Sequence, residues 1–438
     1  MIIYYGSGVD IMKEFYAKNR ENFAGIMEDN SVLVIYSGVA PVMRGDRYYD
    51  YSPQRNFLYV TGIDRAGMAF MMRKDKKGEV TCRIYLERYD EHTAKWDGAA
   101  MTIEKAQEIS GIEEVGFMDE LDEHLGGSSR GAFVRERCKI VYLDLEHRGL
   151  DAPNTPELNL AGRIREKFPV VTLIDAHPMF ARLRLIKSAD EVALIQKAAD
   201  ITSEGVYTFL EKAKPGMMEY ELEAYWDFIV KKNGAEKGFR TIMASGANAT
   251  VLHYGENNCK INDGDLILVD FGASWQYYNA DVSRTFPANG KFTDRQKLLY
   301  NIVLEANKKV IEACKPGLKF SELNETVKKF YAEKLKEIGL IEQDDDVSNY
   351  YYHGVSHFLG LEVHDIGAGS TGVDGELILE VGMVITVEPG LYVADEKIGI
   401  RIEDDILITE NGYENLTKGI IKEVDEIESC MAMAGKKE

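Results

Sequence analysis

The sequence predicts a mixed α/β (α+β) protein in two parts: an α/β domain over residues 1–176, then a larger domain over 177–438 built from two similar halves. Three observations lead there. A chain of 438 residues is long for a single hydrophobic core, so two domains are expected. Strand-like runs interleaved with helical patterns fill residues 1–176. Beyond them, two features recur in the same order. Helix–Lys-Pro-Gly–helix occurs at Lys214-Pro215-Gly216 and again, 101 positions on, at Lys315-Pro316-Gly317. An apolar run tipped by an acid occurs twice at an offset of 118, which carries Asp270 onto Glu388. Such a duplication implies one pseudo-symmetric domain with a site between its halves.

In the first domain the helical pattern runs from Ile11 to Met27. Strands are expected at Val32–Tyr36, Phe57–Val60, Met68–Met72, Arg83–Leu86, Lys139–Leu143 and Val170–Ile174. No Gly-rich phosphate loop is present, so this domain is assigned a structural or interfacial role. The boundary falls between Asp175 and Lys187. Ser188-Ala-Asp-Glu191 then reads as a capping box opening a helix through about Ala213, with a second helix over Glu219–Lys232. Thr293-Asp-Arg-Gln296 repeats the signal, followed by a helix over Ser321–Ile338. The acidic tract Glu342–Asp346 reads as a solvated loop.

Composition narrows the function. With 45% hydrophobic and 29% charged residues the chain is an ordinary globular protein, and it holds no apolar run long enough for a spanning helix. The start, Met1–Gly6, lacks the basic and apolar regions of a secretion signal. Five scattered cysteines without a Cys-x-x-Cys pair argue for a reducing compartment and against a zinc ribbon. A net charge of −21 argues against nucleic acid as a partner.

The chemistry gathers around Gly264-Asp-Leu-Ile-Leu-Val-Asp270 and its echo Gly382-Met-Val-Ile-Thr-Val-Glu388. Each delivers a carboxylate to the end of a buried strand, and such a group is normally paired or bound to a metal. Asp281 lies eleven residues after Asp270. The two would sit opposite each other if a hairpin turned at Trp275-Gln276; a longer loop with a bulge near Asn279 is the alternative. His353, His357 and His364 place three of the chain's eight histidines within twelve residues, and Gly354 and Gly360 exclude the helix of a zinc-binding His-x-x-x-His motif. The run Gly399-Ile-Arg401-Ile-Glu403 alternates as a half-buried strand with Arg401 and Glu403 on one face. Four carboxylates and one imidazole (Asp270, Asp281, His357, Glu388, Glu403) are too many charges for one divalent ion and suit two. An oxygen-rich set of this kind favours Mn2+, with Zn2+ or Co2+ as alternatives.

The same residues resemble the dinuclear metallopeptidases of the pita-bread fold, aminopeptidase P above all. Val-Asp270-Phe-Gly-Ala, Asn-Ala-Asp281-Val-Ser-Arg, Ser-His357-Phe-Leu-Gly-Leu-Glu-Val-His364-Asp, Thr-Val-Glu388-Pro-Gly and Gly-Ile-Arg401-Ile-Glu403-Asp carry the likeness, and Arg55–Gly62 extends it into the first domain. The resemblance implies an exopeptidase that hydrolyses the N-terminal Xaa-Pro bond through a hydroxide shared by two metal ions. Asp270 would hold one ion, Asp281 and Glu403 would bridge both, and His357 and Glu388 would each hold one. Glu388 is also the implied general base. His253, His353 and His364 would contact substrate, and Tyr278 and Arg401 would orient the carboxylates. It implies further a cytoplasmic homodimer or homotetramer acting on peptides with proline second. Prolidase is the nearest rival; it usually carries an arginine ahead of the second acid-tipped strand to clamp a dipeptide carboxylate, and Asp365–Val387 has no Arg or Lys. A pita-bread module that binds peptides without cleaving them is the third reading, and retention of all five ligands argues against it.

Overall fold

The computed structural model describes residues 8–434 apart from 89, 99, 128–131, 136–137, 147–148 and 368–375. Met1–Gly6 and part of Asp365–Val387 therefore lie outside the described residues. Contacts divide the chain into one unit ending at Leu183 and another beginning at Arg184. No helix among the described residues is long and apolar enough to cross a membrane.

The first unit carries a six-stranded mixed sheet. Its order is Glu114–Phe117, Val80–Leu86, Ala69–Lys74, Ser31–Tyr36, Ile140–Leu143 and Thr172–Asp175. Ser31–Tyr36 runs antiparallel to Ala69–Lys74 and parallel to Ile140–Leu143. The helix expected from Ile11 spans Gly8–Ile26. One expectation fails: Phe57–Val60 is not a strand but the middle of the helix Arg55–Thr61. The Gln54 side chain accepts from Phe57 N at its start, and Gly62 closes its end at φ +69°. Residues Asn56 to Thr61 are all buried, so the helical period leaves no polar face to read.

In the second unit both capping boxes form. Ser188 opens Ala189–Lys212 and Thr293 opens Asp294–Ala313, each bonding the residue three further on. The second helices are Glu219–Lys232 and Phe320–Glu337. The duplication is written in backbone bonds. Gly216 N donates to Ile261 O at 2.8 Å, and Gly317 N to Leu379 O at 2.9 Å. Ile261 N reaches Met217 O as Leu379 N reaches Leu318 O, both at 2.8 Å. The bridge Met218 to Lys260 recurs as Lys319 to Ile378. In each pair the helical partner moves by 101 positions and the strand-side partner by 118, the two offsets read in the sequence. Leu266–Phe271 lies between Ile242–Ser245 and Val282–Pro287, while Val384–Val387 pairs with Asp404–Thr409. In the tract Glu342–Asp346, expected as a loop, the first four residues are exposed and Asp346 is half-buried, and its last three residues begin a short 3-10 turn over Asp344–Asn349.

Candidate metal centre

The first pair of acids comes from one hairpin. Trp275 pairs with Tyr278, so the turn is Gln276-Tyr277, one residue beyond the expected Trp275-Gln276, and no bulge intervenes. Both turn residues are left-handed, at φ 49° and 71°, as a two-residue hairpin loop requires. The register consequently sets Asp270 opposite Ser283, not Asp281. Asp281 lies two residues before Ser283 and so shares its face and that of Asp270. Gly272 makes this possible: a Cβ there would come within 1.7 Å of Ala280 O.

The second half supplies the rest. Its strand does not run through as an alternating segment; Ile398–Arg401, buried on both faces, and Asp404–Thr409 are separate strands with Ile402 and Glu403 between them. Arg401 and Glu403 nevertheless line one cavity of about 650 Å³ with Asp270, Asp281, His357 and Glu388. His253, His353 and His364 line it as well. One carboxylate oxygen each of Asp281 and Glu403 and one nitrogen of His357 lie within 4.8 Å of one another. His357 Nε2 is 3.4 Å from Asp281 Oδ2 and 3.8 Å from Glu388 Oε1. Its Nδ1 lies 3.1 Å from Phe358 O, which places the ring proton there and leaves Nε2 as a lone-pair donor facing the acids.

The donor set fits divalent ions. Asp270 Oδ1, Asp281 Oδ1 and Glu403 Oε1 are buried and accept no hydrogen bond. Buried acceptors left empty are costly, and three at one cavity beside an imidazole lone pair are what hard-to-intermediate cations satisfy. Burial, with the charges of Asp270, Asp405 and Glu388, pushes the Asp281 carboxyl well above the usual range. Burial and the charges of Asp281, Glu388 and Asp270 do the same to Glu403. Burial pushes Glu388 up to about 7 against the pull of His357 and Arg401. Burial also pushes His353 down to about 4, and lowers His364, whose ring centroid is 4.2 Å from that of His357.

Arg401 ties the acids together. Its Nη2 donates to Asp270 Oδ2 at 2.6 Å, Nε to Ser283 Oγ at 2.9 Å and Nη1 to Tyr392 Oη at 2.9 Å. Burial disfavours its charge, but Tyr392, Asp270, Glu388 and Glu403 more than offset that and raise its pKa. Ser283 Oγ donates in turn to Glu403 Oε2 at 2.8 Å, and Tyr392 Oη lies 2.9 Å from His353 Nε2. Tyr278 stands elsewhere. It does not line the cavity, and its hydroxyl donates to Glu191 Oε1 at 2.9 Å. Ser283, Tyr392 and Asp405, whose Oδ2 accepts from Asp281 N at 3.2 Å, were not singled out in the sequence. The position of Ser283 opposite Asp270 would have pointed to it once the turn was placed correctly.

A family model described as Metallopeptidase family M24 matches residues 193–410, and one described as Aminopeptidase P, N-terminal domain matches residues 16–132. The chain is 33% identical to the Xaa-Pro aminopeptidase of Escherichia coli (strain K12), over 98% of this chain and 99% of that protein. A structure of a candidate aminopeptidase P from Bacillus anthracis superposes with a TM-score of 0.92 at 47% identity, covering 97% of this chain and 99% of that one. The E. coli aminopeptidase P with the inhibitor Pro-Leu superposes with a TM-score of 0.87 at 31% identity, over 97% and 99%.

Proposed function

We propose residue roles from one premise: the chain belongs to metallopeptidase family M24 and is a metal-dependent exopeptidase that hydrolyses the N-terminal Xaa-Pro bond. The division of labour is that of an N-terminal domain over 1–176 and a catalytic domain over 177–438. Two divalent ions, Mn2+ by preference of the oxygen-rich donor set, would be held by Asp270 on one, Asp281 and Glu403 on both, and His357 and Glu388 on one each. What such ions supply when bound is Lewis acidity towards a carbonyl and towards water. The observation that carries the assignment is the trio of buried, empty carboxylate oxygens on Asp270, Asp281 and Glu403.

The chain's own groups do the rest. Carboxylate oxygens of the centre receive the free α-amino group of the peptide, which limits the reaction to N-termini. Glu388, which lines the cavity beside His357, takes the proton of the attacking water and returns it to the leaving proline nitrogen. His364, held uncharged at neutral pH by burial and its neighbours, donates a neutral N–H to the scissile carbonyl oxygen. His253 and His353 line the substrate's path. Arg401 fixes Asp270, and through Ser283 and Tyr392 it fixes Glu403 and His353. A bond to proline lacks an N–H, and none of these contacts asks for one. The E. coli neighbour was captured with Pro-Leu, which supports proline on the leaving side of the cavity. We assign the enzyme to the cytoplasm as a homodimer or homotetramer.

The test compares an Xaa-Pro dipeptide with Xaa-Pro-Yaa peptides, with Mn2+ and with chelator. Cleavage of the longer peptides, abolished by chelation, is expected. Cleavage confined to dipeptides would make the enzyme a prolidase, and activity surviving both chelation and Asp270→Ala would remove the metal assignment.

A further inference from the structure

Glu219 is a fully buried carboxylate that the reaction does not use. It opens the helix Glu219–Lys232, where the helix dipole favours an anion, and its exposure is 0%. Five donors converge on it. Oε1 accepts from Ser245 N at 2.8 Å, Ser245 Oγ at 2.7 Å and Asn248 Nδ2 at 3.0 Å. Oε2 accepts from Tyr254 Oη at 2.7 Å and Cys259 N at 2.9 Å. Between Asn248 and Cys259 lie Leu252, His253, Tyr254 and Gly255, all in the cavity wall. One side chain therefore grips this wall segment at both ends and at Tyr254.

The duplicated half shows that the fold alone does not ask for a carboxylate here. The offset of 101 carries Glu219 onto Phe320. That ring stacks on Phe358 at 5.0 Å between centroids, directly beside His357. In both halves the residue opening the second helix props a segment that brings a histidine to the cavity. One half does so with an apolar ring. The other buries an anion, which is unfavourable unless every lone pair is used, and gains directional bonds to a wall segment that alternates buried residues, Ala249 and Tyr254, with exposed ones. Val251 and His253 are exposed there.

We propose that Glu219 is a positioning residue for substrate binding, setting His253 in the cavity wall by holding Tyr254 and both ends of the segment. This rests on His253 contacting substrate. Glu219→Gln keeps the shape but points an amide N–H2 at groups that are themselves donors. Steady-state kinetics of the Mn2+-loaded enzyme on an Xaa-Pro-Yaa tripeptide should show KM raised about tenfold with kcat within about twofold. In a His253→Ala background the same substitution should change nothing further, because both act through one contact. Effects that multiply in the double variant, or an unchanged KM in folded Glu219→Gln, overturn the proposal. Should Glu219→Gln not fold, Asn248→Ala removes one of the five donors outside the cavity lining. It should raise KM roughly threefold and likewise lose its effect beside His253→Ala; an unchanged KM overturns the proposal again. A wild-type KM in His253→Ala removes the premise itself, and so identifies failure of the function reading rather than of the Glu219 contact.

Discussion

The two halves of the catalytic unit share a frame and differ in charge. Val387 pairs with Asp404 and Gly390 with Arg401, so the intervening register sets Glu388 opposite Glu403, as Asp270 is set opposite Ser283. Two residues before that partner stands Asp281 in the first half and Arg401 in the second. An acid in one half is thus a guanidinium in the other, and a serine in one is an acid in the other. Across the join the unlike members meet: Arg401 donates to Ser283 and Asp270, and Ser283 donates to Glu403. A set symmetric on the first half would have crowded four acids with no internal cation, and one symmetric on the second would have set two arginines among four acids and left fewer free oxygens for a metal. The duplication supplies the geometry, and its broken symmetry supplies the chemistry.

Removing the acid that the second half does not duplicate should break this arrangement most completely. Asp281→Ala is expected to cut kcat/KM on an Xaa-Pro-Yaa peptide by on the order of a thousandfold or more, and to lower bound metal measured by mass spectrometry. Full metal content with near-normal turnover would refute its place at the centre.

Equivalent glycines separate the frame from the chemistry. The offset of 118 carries Gly272 onto Gly390. A Cβ on Gly272 meets backbone, Ala280 O at 1.7 Å, whereas one on Gly390 meets Tyr392 Oη at 2.3 Å and His353 Nε2 at 2.9 Å. Backbone cannot yield but side chains can. Gly272→Ala should therefore lose roughly 3 kcal/mol or more of stability, seen as loss of folded protein in a denaturant titration. Gly390→Ala should cost less stability than Gly272→Ala and lose activity by displacing Tyr392 and His353. The reverse pattern would mean that the two sites do not play these separate roles.

The charge excess also has a pH consequence. In the metal-free protein Asp281, Glu403 and Glu388 all hold protons more tightly folded than unfolded. Their contribution to stability is thus present below the ordinary carboxylate range and is lost as pH rises through the folded values, that of Glu388 being about 7. Mn2+ competes with those protons. Thermal melts should show a shift of several degrees on adding Mn2+ at pH 7.5 and a smaller one at pH 5. Equal shifts at both would contradict the raised carboxyls.

What the sequence made legible follows the same division. Asp270 and Glu388 stand out because each ends a largely apolar run between glycines, a pattern visible without neighbours. Pairing was harder. Gln276 and Tyr277 carry no turn signature although both are left-handed, so the turn was placed one residue early and Ser283 was missed. Tyr392 has no local signal at all; it matters because a hairpin brings it back onto Arg401. Burial on every side hid the helix Arg55–Thr61 and the two-sided strand Ile398–Arg401, since a period is readable only when one face meets water.

The smallest predicted effect tests the contact at the join. Ser283 accepts from Arg401 and donates to Glu403, so Ser283→Ala leaves one buried donor and one buried acceptor short of a partner without removing charge or ligand. Deleting such a bridge is worth about 1–2 kcal/mol, and part of that is regained if Arg401 turns towards Glu403 directly. The expected result is a five- to tenfold loss in kcat with metal content intact. Arg401→Lys keeps the charge but not the three-way grip, and in a Ser283→Ala background it should cost less than it does alone, because the Nε contact is already gone. Independent losses in that cycle would mean that the halves communicate through Asp270 and Arg401 only, and that the serine is a spacer.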